Sequence, residues 1–243
     1  MSKTLLIIPA YNEEANILKT IRSIERYNEK HAKKFDLIVI NDGSTDRTET
    51  VLTDNQIPHL THVKNRGIGA AVQSGYKYAL KNKYDFAVQI DGDNQHDVAY
   101  VEKILTPLET DADLVIGSRF VTNNGKKDNF QSSFARRLGI KLISGAIKQK
   151  TGVRIYDTTS GFRAANRATI KLFVKDYPVK YPEPISTAEL ILNGGKVVEV
   201  PAKMKARDGG KSSIHGFKNI AYMLDVLSSI LRLKKTRKTK NGK

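Results

Sequence analysis

Apolar and polar positions alternate in blocks along the chain. Residues 4–8 (Thr-Leu-Leu-Ile-Ile) are apolar on both faces and stop at Pro9, the pattern of a strand buried on both sides. Residues 35–40 and 86–90 repeat that pattern, residues 60–63 carry it weakly, and residues 114–117 and 197–200 add two further strands. Helical spacing fills the intervals. A helix is predicted to open at Tyr11-Asn12-Glu13-Glu14, with Asn12 as its N-cap, Glu in the first turn and Ile17, Ile21 and Ile24 as its stripe. Thr45 or Asp46 can cap a short helix after the second strand. Further helices are predicted over residues 70–81, 98–108, 134–148, 167–173 and 185–193. In the 134–148 helix Leu138, Leu142 and Ile143 form the apolar side, with Arg136, Arg137, Lys141 and Lys148 exposed. Strands alternating with helices predict an α/β fold on a mostly parallel sheet.

Residues 121–133 are polar and Gly/Asn-rich and read as a loop, and residues 156–163 as a compact polar turn. The last periodic stretch covers residues 217–233, where Phe217, Ile220, Ala221, Leu224, Leu227 and Leu231 recur at helical spacing. The expected organisation is one α/β unit over 1–213, an amphipathic helix over 214–233 and a basic, disordered tail over 234–243.

Composition narrows the class. The 243 residues are 40% hydrophobic and 27% charged, which suits one α/β domain with a substantial core. No cysteine is present, which excludes disulfides, zinc-thiolate sites and a cysteine nucleophile. No signal-peptide pattern or apolar run of spanning length occurs, so a cytoplasmic protein is expected. The net charge of +16 is uneven: residues 1–125 sum to −2 and residues 126–243 to +18. A basic half points to nucleic acid, a phosphorylated substrate or an anionic membrane. Few aromatics interleave the basic residues, which argues against nucleic acid.

The stretch of greatest chemical interest is Gln89-Ile90-Asp91-Gly92-Asp93-Asn94-Gln95-His96-Asp97. It follows directly on a buried strand, and open α/β sheets bind ligands at the carboxyl ends of strands. Two carboxylates around one Gly can serve a hard divalent cation together with phosphate oxygens. The plainer alternative is a solvated Asp-Gly turn, with Asn94, His96 and Asp97 as ordinary turn and cap residues. Gly67-x-Gly69-x-x-Val72 imitates half of a dinucleotide fingerprint, but Val72 stands where Gly or Ala is needed and this is not the first strand-to-helix turn.

Six stretches, in this order, resemble glycosyltransferase family 2, and within it the polyprenyl- or dolichyl-phosphate sugar synthases. They are Pro9-Ala10-Tyr11-Asn12-Glu13-Glu14, Asn41-Asp42-Gly43-Ser44-Thr45-Asp46, Asn65-x-Gly67-x-Gly69, Asp91-Gly92-Asp93-x-Gln95, Gly117-Ser118-Arg119-Phe120 and Asp157-x-x-Ser160-Gly161-Phe162-Arg163. The resemblance covers roughly residues 4–214 and implies a GT-A fold, a Rossmann-like sheet flanked by helices, that binds a nucleotide-diphospho-sugar. It implies that Pro9, Tyr11, Glu13, Asp42, Gly69 and Asp91 line the donor site, with Tyr11 and Asp42 at the base, Glu13 at the ribose and Asp91 near the ribose or sugar. Asp93, with Gln95, would hold Mg²⁺ or Mn²⁺ on the diphosphate. Arg119, Arg136 and Arg137 would hold the acceptor phosphate, and Asp157 would act in catalysis or orient the acceptor. Arg163 is read as bracing its own turn.

Arg207-x-x-Gly210-x-Ser212 matches a loop motif that closes over the diphosphate, through Arg207 and Lys211. Relatives often carry Lys where Ser213 stands here. Glu183 in Tyr181-Pro182-Glu183-Pro184 is a site residue or a loop acid; relatives often have a second acid where Ile185 stands.

The expected activity is therefore metal-dependent, inverting transfer of a sugar to a polyprenyl phosphate for cell-surface glycan synthesis, at the inner face of the membrane. Contact would be with anionic lipid or a small membrane partner. A phosphate acceptor attacks without a strong general base, whereas a sugar hydroxyl, the acceptor in a polysaccharide-extending alternative, needs Asp157 or Glu183 as base. Nucleic-acid binding is the remote alternative.

Overall fold

In the computed structural model of the chain the described residues are 2–122, 134–204 and 218–235, with backbone alone at 134–136 and 218–222. Seven strands form one sheet: β1 (Thr4–Ala10), β2 (Asp36–Asn41), β3 (His59–Thr61), β4 (Phe86–Gln89), β5 (Leu114–Ser118), β6 (Arg163–Asn166) and β7 (Val197–Pro201), in the order β3-β2-β1-β4-β6-β5-β7. Every pairing is parallel except those of β6, which runs antiparallel between β4 and β5. The eight helices of the described residues are α1 (Ile17–Lys30), α2 (Thr48–Asp54), α3 (Ile68–Lys81), α4 (Tyr100–Thr110), α5 (Phe134–Thr151), α6 (Arg167–Lys175), α7 (Pro182–Leu192) and α8 (Lys218–Arg232).

Helices cover both faces of the sheet, which is why the central strands are apolar throughout. Leu6, Ile8 and Val88 pack against α1 and α4, while Leu5, Ile7 and Ala87 pack against α3 and α6. A third cluster, Ile116, Ile143, Ile147, Ala188, Val226 and Ile230, joins β5 to α5, α7 and α8. The expected α/β sheet is thus observed, with one addition. Sequence gives no signal for β6: Arg163 is the last residue of the expected polar turn, and Ala164, Ala165 and Asn166 have neither β-branched residues nor alternation.

Three further expectations are corrected. Helix α1 starts at Ile17 rather than beside Asn12. Asn12 has φ 56°, a left-handed conformation, and its side chain accepts a hydrogen bond from Thr45 N across the loops instead of capping. In α5 the buried stripe is Ile140, Ile143 and Ile147, whereas Leu138 and Leu142 are exposed. In α8 the buried residues are Val226 and Ile230, Leu227 is half-buried, and Leu224 and Leu231 are exposed. Among the described residues no helix is long and apolar enough to cross a membrane.

Candidate functional site

The carboxyl ends of β1, β2 and β4 open onto one cleft of about 370 Å³. The end of β1 and the loop after it contribute Pro9, Ala10, Tyr11 and Glu13, the loop after β2 contributes Asp42, and the turn after β4 contributes Asp91, Gly92 and Asp93. Asn65, Gly67, Ile68 and Ala71, at the entry to α3, close the wall opposite.

The motif loops hold one another. Asn12 N donates to Ser44 Oγ (3.0 Å) and Thr45 N donates to Asn12 Oδ1 (2.8 Å). Glu14 N donates to Asp46 Oδ2 (3.2 Å) and Arg47 N donates to Glu14 Oε2 (2.9 Å), while Glu13 N donates to Thr48 Oγ1 (2.9 Å). Part of the Tyr-Asn-Glu-Glu and Asn-Asp-Gly-Ser-Thr-Asp signature therefore serves a reciprocal zipper between the first two loops. Partial burial works against ionisation of Asp46, yet hydrogen bonds from the Thr48 hydroxyl and from the amides of Thr48 and Glu14 hold its carboxyl below its ordinary range.

Asp42 is buried and accepts from Gly67 N (2.7 Å) and Arg66 N (3.0 Å), with His62 Nδ1 at 2.6 Å. Its carboxylate thus fixes the 65–67 loop against the cleft as well as lining it. Gly43 allows that loop in: a Cβ there would lie 2.5 Å from the carbonyl carbon of Lys64. Gly69 does not line the cleft. It admits the backbone of Pro178 and Val179, whose carbonyls would lie 2.2 and 2.6 Å from its Cβ.

The Asp-Gly-Asp turn is shaped from below. Asp91 N donates to His96 Nδ1 (3.1 Å), so the ring proton sits on Nε2, and that imidazole is buried and stacked on Phe162. His96, read from sequence as an ordinary turn residue, is the buried post on which the turn rests. Thr20 of α1 donates to Gly92 O (2.9 Å), and Gln95 N donates to Asp93 Oδ1 (3.1 Å). The Asp91 side chain, 39% exposed, lies against Gly161, where a Cβ would come within 2.7 Å of Asp91 Oδ1.

Beside the cleft, Arg119 and Asp157 form a buried pair. Arg119 Nε donates to Asp157 Oδ2 (2.8 Å), Nη2 donates to Oδ1 (2.6 Å) and to Thr159 Oγ1 (3.0 Å), and Arg119 N also donates to Oδ2 (2.9 Å). Asp157 is 0% exposed. Burial disfavours the Arg119 cation, but the hydrogen bonds and charge of Asp157, with Asp91 nearby, keep its guanidinium above its ordinary value. The backbone under this pair rests on Glu199 of β7, which accepts from Tyr156 N and Asp157 N, each at 2.7 Å. Burial pushes the Glu199 carboxyl up, although those amides and the Ser118 hydroxyl favour its ionised form. Sequence reading missed Glu199; the signal was one acid inside the apolar strand Val-Val-Glu-Val-Pro.

Arg163 is fully buried and braces its turn through Ser160 O (3.1 and 2.9 Å) and the start of α7 through Glu183 O (3.2 Å). Glu183 lies in the first turn of α7. Burial raises its carboxyl, Arg163 counteracts this, and Asp91 adds to it. Arg137 is exposed on α5. The side chain of Arg136, together with Arg207, Gly210, Lys211, Ser212 and Ser213, lies outside the described residues.

The donor set fits a hard divalent cation shared with a ligand. Asp93 brings a carboxylate to the cleft lining, with Gln95 two residues on and its amide on Asp93 Oδ1, and among the described residues no three acidic or imidazole groups converge into a closed cage. An ion there would take its remaining ligands from phosphate and water.

Comparison with known proteins gives this geometry a lineage. A polyprenol monophosphomannose synthase of Mycolicibacterium smegmatis is 32% identical over 88% of this chain and 82% of its own. An undecaprenyl-phosphate mannosyltransferase of Micrococcus luteus is 30% identical over 88% of each. Glucosyl-3-phosphoglycerate synthase from Mycobacterium tuberculosis, solved with Mn²⁺, UDP-glucose and phosphoglyceric acid, superimposes with a TM-score of 0.67 at 21% identity, over 95% of this chain and 79% of that one. The family model described as glycosyl transferase family 2 matches residues 5–171. With that model spanning more than half of its length, the chain belongs to glycosyl transferase family 2 and is a glycosyltransferase of GT-A fold.

Proposed function

We propose that this glycosyltransferase moves a sugar from a nucleotide-diphospho-sugar to a polyprenyl phosphate, with inversion at the anomeric carbon. The observation that carries the reading is the joining of two features. An acid-lined cleft at the ends of β1, β2 and β4 suits a nucleotide diphosphate, and a buried Arg119–Asp157 pair stands beside it. The two curated relatives named above, each matched over most of its length, are polyprenyl-phosphate mannosyltransferases by name.

Asp157 supports a phosphate acceptor over a hydroxyl acceptor. A base for a hydroxyl must reach the proton it removes. Asp157 is fully buried with both oxygens engaged by Arg119, so it serves to aim the guanidinium rather than to take a proton. A phosphate monoester arrives ionised and needs only orientation and cationic stabilisation, which Arg119 and Arg137 supply as planar donors. Tyr11, Glu13 and Asp42 bind the nucleoside, and Asp91 orients the sugar. Asp93 and Gln95 would hold Mg²⁺ or Mn²⁺, which would supply positive charge against the diphosphate of the donor. Work on a lipid acceptor places the enzyme at a membrane face.

The test is incubation with radiolabelled UDP-, GDP- and dTDP-sugars and membranes bearing polyprenyl phosphate. Label in an organic-extractable, acid-labile product is expected, with inverted anomeric configuration by NMR. Label only in a water-soluble glycan, lost in Glu183→Gln, would replace this reading with the hydroxyl-acceptor one.

A further inference from the structure

A chain of hydrogen bonds backs one acid of the cleft. His62 directly follows β3, and its amide donates to Asn41 O (2.9 Å), which fixes the residue beside the end of β2. Its imidazole lies with Nδ1 2.6 Å from Asp42 Oδ1 and Nε2 2.9 Å from Ser74 Oγ on α3. The two side chains at the centre are sheltered, His62 at 11% and Asp42 at 3% exposure. A carboxylate only accepts, so Nδ1 carries the ring proton and donates to Asp42. The neutral ring then accepts at Nε2 from the Ser74 hydroxyl.

The order Ser-His-Asp is that of an acyl-transfer triad, but the setting differs. Ser74 lies in the middle of α3, where the backbone amides are committed to the helix ladder and none is left to form an oxyanion hole at its hydroxyl. The chain positions a group, and that group is Asp42.

A carboxylate offers about four lone-pair sites, two on each oxygen. Both sites of Asp42 Oδ1 are filled, by His62 Nδ1 and by Arg66 N (3.0 Å). One site of Oδ2 is filled by Gly67 N (2.7 Å). A single site on Oδ2 therefore remains, on a residue that lines the nucleotide cleft. The base edge that suits one acceptor site is one ring N–H between two carbonyls, the N3–H of uracil or thymine. Guanine presents N1–H and an N2 amine side by side, a pair that calls for both carboxylate oxygens. Binding it would dislodge His62 or bury a hydrogen without a partner, and the second is penalised as heavily as a broken hydrogen bond. Cytosine turns a bare ring nitrogen, an acceptor, toward an acceptor.

We propose that the Ser74–His62 chain, by filling Asp42 Oδ1, sets the cleft for a uracil-type base, with His62 as the positioning residue for nucleotide choice. The inference rests on the nucleoside role given to Asp42 above.

The experiment is titration calorimetry of the full chain with UDP, dTDP, GDP and CDP in the presence of Mg²⁺. It compares the parent with His62→Asn, His62→Phe, Ser74→Ala and Asp42→Ala, each verified as folded by circular dichroism. The parent is expected to bind UDP or dTDP about tenfold tighter than GDP and CDP, the effect of one well-placed hydrogen bond; the tighter of the two names the base. His62→Asn, whose amide nitrogen can take the place of Nδ1, should keep that ratio. His62→Phe keeps a ring but no hydrogen to donate, and should bring the ratio to within about twofold of unity. A parent that prefers GDP or CDP overturns the proposal. So does a His62→Phe variant that weakens all four nucleotides by one factor, since a merely structural role leaves the ratio unchanged. Should His62→Phe not fold, Ser74→Ala, which frees the ring to turn, is expected to lower the ratio about threefold; an unchanged ratio there overturns the proposal. A preference lost in Asp42→Ala but intact in His62→Phe sinks the role of His62 alone. Parent-like binding of all four nucleotides by Asp42→Ala sinks the nucleoside reading beneath it.

Discussion

At the residue scale the decisive arrangement is a cation fixed by a buried anion. Removing one member of a buried ion pair leaves an uncompensated charge, a loss of roughly 3–5 kcal/mol. Arg119→Ala is therefore expected to destabilise the fold as well as to impair acceptor use. Asp157→Asn in the same chain should recover part of the stability but none of the activity, a coupling readable in a double-mutant cycle by denaturant titration. Additive losses would mean that the two side chains do not work as a unit. Glu199 acts one step further back, holding the amides of Tyr156 and Asp157. Glu199→Gln turns one acceptor oxygen into a donor facing an amide, at a cost of about 1–3 kcal/mol. The expected kinetic sign is a raised KM for the acceptor with donor affinity unchanged; a purely structural role would weaken acceptor and donor use together. Asp93→Ala should abolish transfer and remove the metal dependence of donor binding, measured by calorimetry with and without chelator. Donor binding that still requires metal in Asp93→Ala would move the ion elsewhere in the cleft.

At the element scale, the loops after β1 and β2 are one unit because their side chains cap one another's amides. Asp46 is the acid most engaged in that zipper, and its carboxyl is held below the ordinary value of about 3.9. A depressed folded-state value adds stability above the unfolded value, and that stability is lost as pH falls through the folded one. The melting temperature of the parent should therefore drop more steeply below about pH 4 than that of Asp46→Asn. Parallel pH profiles would remove Asp46 from the account. The same loops explain what could be read from sequence. Strands buried on both faces announce themselves by unbroken apolar runs, so β1, β2, β4 and β5 were legible, as were the acids at their ends. Asn12 was misread as a helix cap because its partner, Thr45, lies 33 residues away in sequence. β6 was missed because its signal is positional: Arg163-Ala-Ala-Asn is a strand only because β4 and β5 leave a gap between them. Glu199 and His96 were missed or discounted for the same kind of reason, since what each one holds is distant backbone.

At the scale of the whole molecule, α8 belongs to the fold as much as to any surface. Val226 and Ile230 are fully buried with Ile116, Ile143 and Ile147, and Leu227 and Met223 are half-buried against the same cluster. Burying each such side chain contributes about 1.5–3 kcal/mol, so α8 adds several kcal/mol to a molecule whose net stability is on the order of 5–15 kcal/mol. A chain ending at His215 would strip the cover from α5 and α7, expose their apolar sides and melt well below the parent. The packing itself is tested by Val226→Ala and Ile230→Ala. Each should lose about 1–4 kcal/mol by denaturant titration. Leu224→Ala, at an exposed position, should lose less than about 0.5 kcal/mol. If Val226→Ala and Ile230→Ala were as mild as Leu224→Ala, α8 would not be docked on α5 and α7.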